Sequence, residues 1–169
     1  MSYKLYELVI SPAKLKLLCN FSLAGLSMSY QNFFNAEPKR SLESKWGEKA
    51  LSMGWSGIPT SLFFLQGALS MTPTTFNVLL HLIIHWWKAH EWPHPSQESI
   101  SIRMGVSTRT VQRSLQELEY YGLITRIRTK KDNPKYRGRN IYDLSNLVNA
   151  LNELTPSLNE KLNEKSSVK

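Results

Sequence analysis

Cysteine is almost missing from this 169-residue chain. The single Cys19 leaves no internal disulfide to form. That fits a reducing compartment such as the cytoplasm, and Cys19 reads as a small apolar core residue. Long apolar runs are absent too. The most apolar stretch, Phe76 to Trp87, contains His81 and His85 and is well short of the roughly twenty residues that a bilayer span takes. Near the start, Lys4, Lys14 and Lys16 precede an apolar run from Leu17 to Met28. Asn20 and Ser22 interrupt that run and no clear cleavage site follows, so secretion is not expected. Met28 offers an alternative start that would make the preceding segment dispensable.

Catalytic signatures are also lacking. The chain has no phosphate-binding glycine loop, no Gly-x-Ser-x-Gly elbow and no carboxylate cluster. The histidines are His81, His85, His90 and His94. His81 and His85 stand four apart, which allows two imidazoles to share a metal on one helix face. However, Leu82 occupies the place of the metalloprotease glutamate, and the Leu, Ile and Trp between them favour packing. No metal, cofactor, small-molecule ligand or enzymatic activity is expected.

What the chain has is positive charge, concentrated in one place. Its formal net charge is +8. Of that, +7 lies between Arg103 and Arg139, where ten Lys/Arg face only Glu117, Glu119 and Asp132. Such a field attracts a polyanion by releasing counterions condensed on its phosphates, and would attract an acidic membrane surface as well.

Three segments are expected: residues 1–45 as an N-terminal extension, poorly ordered or partly helical; 46–154 as the folded domain; and 155–169 as a flexible tail. Thr60 to Leu69 reads as a short amphipathic helix with Leu62, Phe63, Leu65 and Leu69 inward. Thr72-Pro73 starts the next helix, with Phe76, Leu79, Leu80, Ile83, Ile84 and Trp87 on its core face until Trp92-Pro93-His94-Pro95 breaks it. Ser96 caps a helix from Gln97 to Met104, which Gly105 ends. Ser107 caps another, with Val106 and Val111 at hydrophobic-staple positions, Val111, Leu115 and Leu118 buried, and Gly122 as the stop. Leu123 to Thr129 and Asn140 to Leu144 then form a β-hairpin with a basic tip. A last amphipathic helix starts near Ser145, with Leu147, Val148, Leu151 and Leu154 inward. Beyond Pro156 the Leu-Asn-Glu-Lys repeat reads as a frayed or solvated helix.

This layout, mainly α with a small β-hairpin wing, is that of a winged helix-turn-helix. On the second helix of the pair, Arg109, Gln112, Arg113 and Gln116 lie opposite the buried stripe. Arg suits guanine O6 and N7, and Gln suits adenine N6 and N7, so these four are the candidate base readers in a major groove. Ser96, Ser107, Thr108 and Thr110 suit phosphate contact at helix starts. Arg126, Arg128, Lys130, Lys131, Lys135, Arg137 and Arg139 on the hairpin suit the DNA backbone.

The stretch from Trp92 to Ile124 resembles the helix-turn-helix domains of bacterial, phage and plasmid proteins. Their pattern runs PS-x-x-x-I/L-A-x-R-M/L-G-V-S-x-R-T-V-Q-R and then L-E-x-x-G-L-I. Pro95, Ser96, Ile100, Arg103 to Ser107, Arg109 to Arg113, Leu118, Glu119 and Gly122 to Ile124 match it. Ser101 replaces the usual Ala, and Ile102 replaces a usual polar residue. Ile102 would either enlarge the core or expose an apolar spot. The resemblance covers roughly Trp46 to Leu154 and implies sequence-specific duplex-DNA binding, as a transcriptional regulator or as a replication-associated protein of a mobile element.

A winged helix used for protein docking is the rival from another class. Trp86, Trp87 and Trp92 would serve there as an exposed aromatic payload, or in the core as packing. A homodimer is compatible with two half-sites, and the final helix is one candidate interface.

Overall fold

The computed structural model describes residues 40–166, which fall into two compact units, residues 40–57 and 58–166. Cys19, Met28 and most of the expected N-terminal extension lie outside the described residues.

The first unit holds two short helices, α1 (Arg40–Trp46) and α2 (Glu48–Leu51), separated by Gly47. Trp46, Met53 and Trp55 in this unit are exposed.

The second unit contains α3 (Ser61–Ala68), α4 (Pro73–Ile83), α5 (Gln97–Met104), α6 (Thr108–Tyr120), the antiparallel strands β1 (Thr125–Ile127) and β2 (Ile141–Asp143), and α7 (Ser145–Ser166). The expected architecture of mainly helix with a two-stranded hairpin is present. The strands pair with Arg126 opposite Tyr142. A single apolar core joins Leu62 and Leu65 of α3, Val78, Leu79 and Leu82 of α4, Ile100 of α5, Val111, Leu115 and Leu118 of α6, Tyr142 of β2, and Leu147 and Leu154 of α7.

Local chemistry sets the helix starts. Thr72, Ser96 and Ser107 each sit in extended conformation and accept a hydrogen bond from the backbone N–H three residues on. Each such cap satisfies one of the four orphan N–H groups of a helix start, a contribution of about 1 kcal/mol.

α4 ends sooner than its periodicity predicts, at Ile83 rather than at the Trp92-Pro93 break. After Ile84 the bonds tighten to three-residue spacing, from His85 N–H to the Leu82 carbonyl and from Trp86 N–H to that of Ile83. The His85 ring also takes up the His81 carbonyl through Nδ1, at 2.6 Å. A side chain thus satisfies an end that no glycine or proline marks. The buried face of α4 is Thr75, Phe76, Val78, Leu79 and Leu82. Trp87, expected inward, lies beyond the helix and is exposed, whereas Trp86 packs against the core and against Trp92, ring centroids 5.0 Å apart. Phe63 of α3, also expected inward, is exposed and touches Phe76 at its rim.

The C-terminal helix also departs from expectation. α7 continues through Pro156 to Ser166, and Leu158 is buried in the core. Proline removes one ladder bond and crowds the preceding turn. Next to it, the Thr155 and Ser157 hydroxyls donate to the carbonyls of Leu151 and Leu154, and Leu158 supplies apolar burial one turn on. Val148, expected inward, is exposed.

Candidate nucleic-acid interface

α5 and α6 meet through Gly105, whose φ of 65° is the left-handed conformation that ends α5. Val106 packs on the core beside this turn. Ser101 is buried and its hydroxyl donates to the Glu98 carbonyl at 2.8 Å, so the helix accommodates a hydroxyl where the family pattern has a methyl. Ile102 is exposed, and lines a shallow depression with Ser96, Ser99 and Arg103.

α6 is two-faced. Val111, Ser114, Leu115 and Leu118 are buried, and Arg109, Gln112, Arg113 and Gln116 are exposed. At ~100° per residue these four fall within an arc of roughly 100°, centred about 160° from the buried stripe. None of the four forms a hydrogen bond or ion pair with another described residue.

The acids of the same helix are committed to the protein. Glu117 accepts from the Thr75 hydroxyl at 2.5 Å and from the Tyr121 phenol at 2.9 Å. Thr75 is itself buried and also bonded to Ser114. Burial, reinforced by the Glu117 hydrogen bond, pushes the Tyr121 phenol up to about 12. Glu119 holds Arg126 of β1 through both carboxylate oxygens, and that hydrogen bond raises the arginine pKa. The structure therefore gives Arg126, a candidate backbone contact, an internal partner. It ties α6 to the wing.

The wing loop is similarly sorted. Lys135 pairs with Glu91 at 2.8 Å, and that contact lowers the Glu91 pKa and raises that of Lys135. Tyr136 packs edge-on against His94, and the Tyr142 N–H donates to the Pro93 carbonyl. The loop after α4 and the wing thus hold each other. Within the wing, the Asn133 side-chain oxygen accepts from the N–H groups of Lys135 and Tyr136, and Thr129 donates to the Arg139 carbonyl. Gly138 has φ of 77°, and a Cβ there would come 3.2 Å from the Lys131 side chain, so this turn needs glycine. Arg139 donates one bond to the Tyr136 carbonyl. Arg128, Lys130, Lys131, Arg137 and Arg139 are exposed.

At the helix starts, Thr108 is exposed, while Ser96, Ser107 and Thr110 are engaged in capping. The capping serine oxygens act as acceptors, and the Ser107 and Thr110 hydroxyls share a further hydrogen bond at 2.9 Å.

His81 and His85 are not arranged as a metal pair. The two nitrogens of His85 face the His81 carbonyl and the Arg103 guanidinium. Burial, with the charges of Arg103 and His85, lowers the His81 pKa. Among the described residues, no three His, Cys, Asp or Glu side chains are placed to share a metal ion, and no helix is long and apolar enough to cross a membrane.

Residues 69–124 match the family model of the helix-turn-helix domain. The match covers α4, α5 and α6, and the β1–β2 hairpin follows directly after it. No curated protein matches the chain. Among solved structures, it is 21% identical to a possible transcriptional regulator from Methanosarcina mazei, covering 61% of this chain and 82% of that one with a TM-score of 0.39. It is 19% identical to a MepR mutant of S. aureus bound to an oligodeoxyribonucleotide, covering 84% and 85% of the two chains with a TM-score of 0.41.

Sequence reasoning found the exposed face of α6 but missed the partners Glu119, Glu91 and His94. Only the charge complementarity of Glu119 and Arg126 across the Gly122 turn could have signalled one of them.

Proposed function

We propose that this protein is a sequence-specific reader of duplex DNA that acts as a transcriptional regulator in the cytoplasm, without catalysis of its own. One observation carries the reading. On α6 both carboxylates are bound within the protein, while the two arginines and two glutamines of the opposite face are unpaired and exposed. The internal pairing of the carboxylates keeps their negative charge off the exposed face, where unpaired side chains are left to meet base edges. Arg109, Gln112, Arg113 and Gln116 read base edges. Ser107, Thr108 and the exposed wing cations Arg128, Lys130, Lys131, Arg137 and Arg139 hold phosphates. A single α6 covers only a few base pairs, so two copies on a two-fold site, as a homodimer, would give the length of address that a regulator needs.

The test is fluorescence anisotropy with mixed-sequence duplexes at two salt concentrations. Nanomolar to micromolar binding that weakens steeply with salt supports the reading. Salt-independent binding, or none, contradicts it.

A further inference from the structure

Resting on that reading, we infer that α6 selects a core of about four base pairs in which G·C and A·T pairs alternate, with guanines on one strand and adenines on the other. The geometry follows from helix periodicity. Arg109 and Arg113 are four residues apart and share one flank of the exposed face, and Gln112 and Gln116 share the other. The mean directions of the two pairs diverge by roughly 60° about the axis, with Arg109 and Gln116 nearest the midline, so the arginines lean toward one strand and the glutamines toward the other.

Rise sets the register. At about 1.5 Å per residue, Gln112, Arg113 and Gln116 lie roughly 4.5, 6 and 10.5 Å beyond Arg109 along the axis. With about 3.4 Å between base pairs, these offsets are close to one, two and three steps. Each planar side chain then meets one purine, arginine bidentate on guanine and glutamine bidentate on adenine. Read along the strand that faces the arginines, the core is G-T-G-T, or the same order reversed. The lack of internal partners for all four side chains leaves the two donors of each arginine and the donor and acceptor of each glutamine amide available.

The test is selection from a randomised duplex library by the full chain and by Arg109→Ala, Gln112→Ala, Arg113→Ala and Gln116→Ala. All four sites are exposed, so thermal melting should show unchanged folding. The expected result is an alternating core in which each variant relaxes a different pair, in the order 109, 112, 113, 116. Discrimination at that pair should fall by about 5- to 150-fold. A selected motif without alternation, or variants that weaken every duplex equally, overturns the inference while duplex binding itself stands. Failure of the wild-type chain to retain any duplex at low salt overturns the proposed function and this inference together.

Discussion

The guanidinium of Arg126 lies across both carboxylate oxygens of Glu119, joining the C-terminal half of α6 to the first wing strand. Two side chains of opposite effect on a phosphate, one attracting it and the other repelling it, neutralise each other within the protein. Arg126→Ala should therefore act on stability more than on DNA affinity. Denaturant titration should show a loss of about 1 kcal/mol, in keeping with a partly exposed bidentate pair. The salt slope of binding should stay unchanged, whereas Arg128→Ala should reduce it by about 0.9.

The seat of α6 on α4 is polar as well as apolar. Thr75→Val keeps the shape of the side chain but withdraws the hydroxyl that donates to Glu117. Urea denaturation should show a loss of about 1 kcal/mol, the low end for leaving an acceptor short of a donor, because Glu117 is only half-buried and keeps the Tyr121 bond.

Tyr121 makes this seat sensitive to alkali. Its folded pKa, about 12, stands above the ordinary value of 10, so the folded protein retains the phenolic proton longer than the unfolded chain does. Its contribution to stability is complete below pH 10 and is lost as the pH rises through 12. The stability difference between wild type and Tyr121→Phe should be constant below pH 10 and shrink across that window. A pH-independent difference would show that neither the burial of Tyr121 nor its bond to Glu117 persists in solution.

The caps at Thr72, Ser96 and Ser107, the Gly105 turn and the exposed face of α6 were all legible in the sequence, because each is decided within a few residues. What was not legible depended on partners far along the chain. The end of α4 is set by a histidine ring reaching back to its own helix, a signal that propensity does not carry. The segment beyond Pro156 reads as a frayed or solvated helix, yet the burial of Leu158 outweighs one lost ladder bond. The pairing of Lys135 with Glu91 joins residues 44 apart, so the basic tip read as uniformly free while one of its charges was already spoken for.

Leu158→Ala tests the continued helix. A buried leucine at that position should make the substitution lose about 2 kcal/mol or more in chemical denaturation. A change within about 0.5 kcal/mol would mean that the segment beyond Pro156 is a solvated tail after all.

Glu91 occupies the ammonium of Lys135, a candidate phosphate contact. In Glu91→Gln the Lys135 ammonium is released, so low-salt DNA affinity should rise and the salt slope should steepen by about 0.9. Anisotropy titrations at several salt concentrations measure both. A fall in affinity would mean that docking of the wing on Glu91 matters more for binding than the extra free charge.

In the proposed complex α6 enters the major groove and places arginines on guanine edges. Dimethyl sulfate footprinting on a selected duplex tests it most directly, because the reagent methylates guanine N7 in the major groove and adenine N3 in the minor groove. The expected result is protection of guanine N7 in the bound core, lost at different guanines in Arg109→Ala and Arg113→Ala. Bound duplex with every guanine N7 still reactive, or with protection confined to adenine N3, would contradict the account.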